Sequence, residues 1–303
     1  MDDNPGHDTT HRAFLQAFLA RQVMTFVDAQ AVLSTILTAR DPNRPMQPGD
    51  ITRNDFDGYV QALNDAISPF DLEIRSTRHQ QTHDEVHALV NTTSDAFTQM
   101  STVQTADEIA FVRRVLDAMF ERYNTMHAEI MAITATQALK LAKLPQEESR
   151  RDSGTGTSTA AALTQSQAES VLENMLSEGW FERSRAGFYS LTPRALMELR
   201  EWLADTYNEP PAEDGEDDEE VQIKIRTCKA CREIVTVGQR CPRRECLGRL
   251  HMHCAGRMFR AQNNQQICPE CKTPWTDPLP VGEAAARGSS TSQRRRTTAD
   301  EDD

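Results

Sequence analysis

A chain of 303 residues with 38% hydrophobic, 6% aromatic and 26% charged side chains is long enough for two or three domains with their own cores, and too apolar to be wholly disordered. Its net charge of −13 argues, taken as an average, against direct binding to nucleic acid. No apolar run approaches the roughly 18 residues of a membrane span, and the start MDDNPGHDTTHR lacks an apolar signal core, so an intracellular protein without membrane attachment is expected.

Residues 1–10 are polar and expected to be disordered. From there, 11–21 (Phe14, Leu15, Phe18, Leu19), 28–39 (Val32, Leu33, Ile36, Leu37) and 54–67 (Phe56, Val60, Leu63, Ile67) space their apolar residues as amphipathic helices. "DLEIR" and "EVHALV" then flank "STRHQQTHD" as two strands around a turn, which predicts a winged helix over 11–100. His79, His83 and His87 are four apart, a metal-binding spacing on a helix, but they fall on a turn and strand with no thiol or carboxylate to complete a set.

A second winged helix is predicted over 101–207. Its front half is assigned to 105–123 (Ile109, Val112, Leu116, Phe120) and 127–144, with a flexible insertion at 145–160. Thr164 and Gln167 form a capping-box start, and Val171, Leu172, Met175 and Leu176 continue a helix as far as Gly179. "WFERSRAGFYSL" reads as a hairpin, and Thr192 and Pro193 begin a helix from 194 to 207. The helix 165–177 has no Lys or Arg and two Glu, so it cannot neutralise phosphates, and protein docking is the expected use of this domain.

The acidic stretch PPAEDGEDDEE lies in a linker at 208–222, expected to repel itself and stay extended. Beyond it the balance reverses. Residues 221–275 hold eleven Lys or Arg against three Glu, a formal +8, which leaves −21 on the remainder of a chain whose total is −13. Seven thiolates and two divalent ions would reduce +8 to about +5.

All seven cysteines fall in this basic module, 223–280, as Cys228-x2-Cys231, Cys241-x4-Cys246, His251-x2-Cys254 and Cys268-x2-Cys271. Four ligand pairs make eight ligands, enough for two closed tetrahedral sites, and a neutral imidazole among thiolates favours two zinc ions over iron. In a cross-braced arrangement Cys228, Cys231, His251 and Cys254 share one ion, and Cys241, Cys246, Cys268 and Cys271 share the other. The module has few large apolar residues, so metal binding must supply much of its folding free energy. His253 is left over as a surface residue. The tail 281–303, with Arg294, Arg295 and Arg296 before DEDD, is expected to be disordered.

The order of four Cys, one His and three Cys occurs in plant-homeodomain chromatin readers and in variant RING domains. Gln266 stands where many such readers have an aromatic residue, whereas "CPEC" followed by Lys272 looks more like the end of a RING. The x4 gap between Cys241 and Cys246 is longer than RING domains usually have.

Taken together, "HRAFLQAFL", "LEIRSTRHQQTHDEVHALVNTTSD", "QAESVLENMLSEGWFERSRAGFYSLTPRALMELREWL" and the cluster ending "CPECKTPW" resemble the family of the first non-SMC element of the SMC five-six complex, over nearly all of 11–280. The resemblance implies a mainly α fold with small β wings, in which tandem winged helices precede a cross-braced variant RING. It implies a MAGE-domain partner, a kleisin partner, the SMC heterodimer through these, DNA through the complex, and a nuclear, chromosome-associated role in DNA repair and recombination. It also implies a RING-type ubiquitin ligase activity promoted by the MAGE partner, with no nucleophile of its own and with Ile234, Pro269 and Lys272 facing a ubiquitin-conjugating enzyme. The alternative is a non-catalytic scaffold whose wings and zinc module bind the partner subunits and help engage DNA.

Overall fold

Among the described residues, five helices begin with the same device, a threonine whose hydroxyl meets the backbone three residues on while an acid or amide there reaches back. Thr25 with Asp28 opens α2 (Phe26–Arg40), and Thr52 with Asp55 opens α3 (Arg53–Ile67). Thr105 with Glu108 opens α4 (Ala106–Asp117), Thr134 with Gln137 opens α5 (Ala135–Lys140), and Thr164 with Gln167 opens α6 (Gln165–Ser177). Asp8 and His11 cap α1 (Thr9–Arg21) in the same manner, so residues 8–10 are part of the fold rather than of a disordered leader.

These elements come from a computed structural model, which describes residues 8–92, 97, 100, 104–143, 162–208 and 223–287. The expected insertion at 145–160, nearly all of the acidic linker and the tail beyond 287 lie outside the described residues. The chain divides into two compact units, Met1–Ala96 with Pro193–Leu199 and Phe97–Thr192 with Arg200–Asp303.

In the first unit α1, the short strand β1 (Val23–Thr25), α2 and α3 lead into β2 (Leu72–Arg78) and β3 (Glu85–Asn91). The strands form an antiparallel sheet in the order β1-β3-β2, with Val23 opposite Ala88 and Arg75 opposite Ala88 on its other edge. Three helices and a three-stranded sheet carrying a two-stranded wing make a winged helix. Phe14, Phe18, Leu33, Phe56, Leu63 and Ile74 fill its core, and the rings of Phe14, Phe18 and Phe56 meet edge to face.

The second unit repeats that order as α4, β4 (Ile133–Thr134), α5, α6, β5 (Phe181–Arg183) and β6 (Phe188–Leu191), with sheet order β4-β6-β5. The front-half span 127–144 holds a strand and a short helix. Ile133 and Thr134 pair with Tyr189 and Phe188, and only Ala135–Lys140 is helical before the described residues stop at 143. At the other end α4 passes into a π-helical turn at Ala118–Arg122.

The helix expected over 194–207 is two helices, α7 (Pro193–Glu198) and α8 (Arg200–Tyr207), broken at Leu199. The first belongs to the first unit and the second to the second unit. In the first unit Arg194 donates to Gln22 Oε1 and Met197 lies with Ala88 and Val90. In the second, Trp202 and Tyr207 meet edge to face, and the Tyr207 hydroxyl donates to Asp117 at 2.8 Å.

The rest of the second unit is the cysteine-rich module, built on β7 (Gly238–Arg240), β8 (Arg249–Leu250), α9 (Met252–Ala261) and β9 (Leu279–Val281), with sheet order β8-β7-β9. Strand β9 overturns the expectation that the tail begins at 281, because Val281 is 1% exposed and pairs with Gly238. The linker is also not a spacer at its ends. Asn208 and Ile223 form an antiparallel bridge, and the Asn208 Oδ1 accepts from the amides of Lys224 at 2.9 Å and Ile225 at 2.8 Å.

Candidate metal centre

The two CxxC pairs fold into the same turn. The Arg232 amide donates to the Cys228 carbonyl at 2.9 Å and the Cys228 amide to the Glu233 carbonyl at 2.8 Å. Lys272 and Cys268 do the same, at 3.1 Å to the Cys268 carbonyl and 2.9 Å to the Thr273 carbonyl. Closing so tight a turn puts the residue after each second cysteine in the left-handed region, φ 70° for Arg232 and 60° for Lys272. Backbone bridges Thr227–Ile234 and Ile267–Pro274 tie the two turns off.

The structure brings together Cys228, Cys231, His251 and Cys254 as one group and Cys241, Cys246, Cys268 and Cys271 as another, with the ligand atoms of each within 4.8 Å of one another. The interleaving of the pairs is the cross-brace. No two of the seven cysteines are joined as a disulfide. Sγ atoms lie 3.6 Å apart for Cys241 and Cys271 and 3.7 Å apart for Cys246 and Cys268. The edge of a tetrahedron with metal–sulfur bonds of about 2.3 Å is about 3.8 Å, so this spacing suits one ion in each group.

His251 is prepared as a ligand. Its Nε2 lies 3.1 Å from the Ile234 carbonyl, where only a protonated nitrogen is favourable, and this leaves Nδ1 to face Cys231 Sγ at 3.3 Å. His253 stacks on His251 with ring centroids 5.2 Å apart and supplies no atom to either group. Gly248 is required beside the second group, because a Cβ there would lie 2.8 Å from Cys268 Sγ and 3.4 Å from both Cys246 Sγ and the Trp275 ring. Its amide donates to Cys246 Sγ at 3.3 Å.

Of the three residues expected to face a conjugating enzyme, Ile234 is corrected. It is 3% exposed, and its carbonyl orients His251. Lys272 is exposed and its Nζ donates to the Pro269 carbonyl at 2.9 Å, with Pro269 half-buried beside it. His79 Nδ1 accepts from the amides of Gln81 and Thr82 and so closes the first wing's turn, while His87 is buried in β3. Neither joins a metal group.

Glu129 is the residue that sequence reasoning missed. It is 1% exposed, and its carboxylate accepts from Arg226, from Arg240 at 2.7 Å, and from Arg249 through both Nε, at 2.8 Å, and Nη2. Burial by itself would raise the Glu129 pKa, but the Arg249 hydrogen bonds and the charges of the three arginines outweigh it and hold the group below the usual range. Around this centre the Glu129 carbonyl accepts from the Gly282 amide at 2.7 Å, and Asn124 Nδ2 donates to the Lys224 carbonyl at 2.8 Å. The module is thus moored to the second winged helix by a buried carboxylate. Two of its basic residues, Arg240 and Arg249, are internal at 1% exposure, so the +8 of the sequence is not all surface charge.

The family model for the Nse1 non-SMC component of the SMC5-6 complex matches residues 11–199, which is more than half of the chain. The chain belongs to the Nse1 family. A RING-like domain model matches residues 228–271. Among Nse1 relatives, the non-structural maintenance of chromosomes element 1 homolog of Xenopus laevis is 23% identical over 94% of this chain and 89% of its own length. Element 1 of Schizosaccharomyces pombe is 25% identical over 74% of this chain and 78% of its own length. A solved chain titled Nse1-Nse3-Nse4 complex shares the fold with a TM-score of 0.66 at 22% identity, covering 91% of this chain and 99% of that one. The Nse1 fold, mainly helical with small sheets and ending in a RING-like domain with two Cys/His groups, is therefore the fold of this chain.

Proposed function

We propose that this chain is the Nse1 subunit of an SMC five-six complex, assembled with a MAGE-domain subunit of the Nse3 kind and a kleisin of the Nse4 kind, and that its module holds two zinc ions and acts as a RING-type ubiquitin ligase. The observation that carries the ligase reading is the cross-braced pair of closed ligand groups, which ends in an exposed Lys272 beside Pro269. Both groups are complete with four protein ligands, so the ions would be structural and leave no position for substrate. Such a module has no nucleophile to contribute. It would act by holding a charged conjugating enzyme with the ubiquitin thioester in a reactive conformation, which is catalysis by positioning.

The winged helices are read as protein-docking surfaces. Helix α6 shows solvent Gln165, Ser166, Glu169, Ser170, Glu173 and Asn174 with no cation. Helix α3 exposes Asp55, Asp57 and Asp65, and its one arginine, Arg53, is bound to Asp57 and bidentate to Glu85. Third helices of this charge do not neutralise phosphates, so contact with DNA, and a nuclear role in repair and recombination, would come through the assembled complex. The scaffold reading draws support from the burial of Ile234, which removes one of the three expected enzyme contacts.

Single-turnover discharge of ubiquitin from a charged conjugating enzyme separates the two. The full chain, with and without its MAGE-type partner, is compared with Lys272→Gly, which keeps the left-handed turn and removes the cation. Partner-dependent discharge that falls about tenfold or more in Lys272→Gly is the expected result. No discharge from a protein carrying two zinc ions would leave the scaffold.

A further inference from the structure

The mooring at Glu129 is electrically unbalanced. One carboxylate faces three guanidiniums, an excess of +2, and Arg240, Arg249 and Glu129 are each 1% exposed. Uncompensated charge at such depth is strongly unfavourable. The four-cysteine group has the opposite imbalance, because four thiolates around one divalent ion carry −2. Arg249 joins the two directly. Its Nη1 donates to the carbonyls of Cys246 at 2.7 Å and Gly248 at 2.9 Å, in the loop that delivers Cys246, while its Nε and Nη2 hold Glu129. The other group, Cys228, Cys231, His251 and Cys254, takes its orienting bond from the Ile234 carbonyl, and Arg249 meets its first turn through backbone alone, the Arg249 carbonyl accepting from the Lys229 amide at 2.9 Å.

We propose that Glu129 is a positioning residue for the four-cysteine site, so that loading that site with metal and docking the RING-like module onto the second winged helix are one coupled event, while the three-cysteine, one-histidine site loads independently. Binding the ion takes the protons from four thiols and leaves the site at −2, the charge that balances the arginines, and it fixes the loop from which Arg249 reaches Glu129. The coupling acts equally in both directions: docking holds the ion and the ion holds the dock. An empty four-cysteine site would release the module from the helical part of the unit, so that metal status sets where the module stands.

The inference rests on the metal reading of the two groups, and cobalt(II) tests the two separately. Full-length protein loaded with two cobalt ions has distinguishable d–d spectra for a four-sulfur and a three-sulfur, one-nitrogen site, so loss to a chelator is followed site by site. Glu129→Gln is expected to speed loss from the four-cysteine site by about tenfold or more, in the range for changes just outside a ligand sphere, and to leave the other site within about twofold. Equal acceleration at both sites would mean general destabilisation and overturn the coupling, as would no change at either. Fewer than two bound cobalt ions would overturn the metal reading and this proposal with it.

If Glu129→Gln does not fold, the wild-type protein supplies the test. Stripping the four-cysteine ion should lower hydrogen-exchange protection of the Gly282 amide and of residues 124–131 by about tenfold, and leave β3 of the first unit protected. Unchanged protection at Gly282 would overturn the coupling.

Discussion

His87 shows how much one buried side chain can say about pH. It is 4% exposed on β3, its ring stands edge-on to Phe56 with centroids 4.6 Å apart, and its Nε2 has no hydrogen-bond partner among the described residues. Burial lowers its pKa below the usual value near 6.5, Arg53 adds to the lowering, and Glu85 and Asp57 oppose it without prevailing. The folded state therefore prefers the neutral ring. The stability this gives is complete above about pH 6.5 and is lost as pH falls through the lower folded value. An NMR titration of the ring should give a midpoint below 6.5; one at or above that value would show that the ring finds water or an anionic partner. The sequence already placed this residue with His79 and His83 on a turn and strand and so against a shared face of ligands, and the structure puts His87 in β3 and His79 in the turn before it.

The start of α6 was legible from Thr164 and Gln167, since a threonine with an acid or amide three residues on is a local signal that needs no tertiary contact, and the same signal at Thr25, Thr52, Thr105 and Thr134 stood in the sequence unread. Thr105→Ala should cost about 1 kcal/mol by removing the acceptor for the Glu108 amide, and Thr105→Ser should recover most of it, in urea unfolding followed by tryptophan fluorescence. A loss below a few tenths of a kcal/mol would mean that the first turn of α4 is held by packing instead. Both wings were legible for the same local reason, as were the eight ligands from their spacing. The strands β1 and β4 were not. They are three and two residues long, and only pairing with β3 and β6 makes them strands. The break at Leu199 was hidden too, because no Gly or Pro marks it in "RALMELREWL".

At the scale of the whole molecule, the sequence suggested two winged helices and, beyond an acidic linker, a separate basic module. The structure has two units, and the cysteine-rich module shares the second with a winged helix. Glu129 could not be singled out in "YNTMHAEIMAIT", since its partners Arg226, Arg240 and Arg249 come roughly a hundred residues later. The only trace was the excess of arginine in the module, which reads equally well as a surface for anions. Resemblance located the family, and the exposure of Lys272 and burial of Ile234 needed coordinates, because both sit beside CxxC turns that look alike as text.

The bridge between Asn208 and Ile223 bears on how this protein can be handled. Fourteen residues, 209–222, leave and return at hydrogen-bonded neighbours, so their length does not set the distance between the elements on either side. Deleting 210–220 should leave the melting temperature and metal content unchanged, and a shift of more than a few degrees would show that the segment is part of the fold. The same place should accept a fluorescent protein or serve as the pair of new ends in a circular permutant, a marker seated between two parts of one unit without prising them apart.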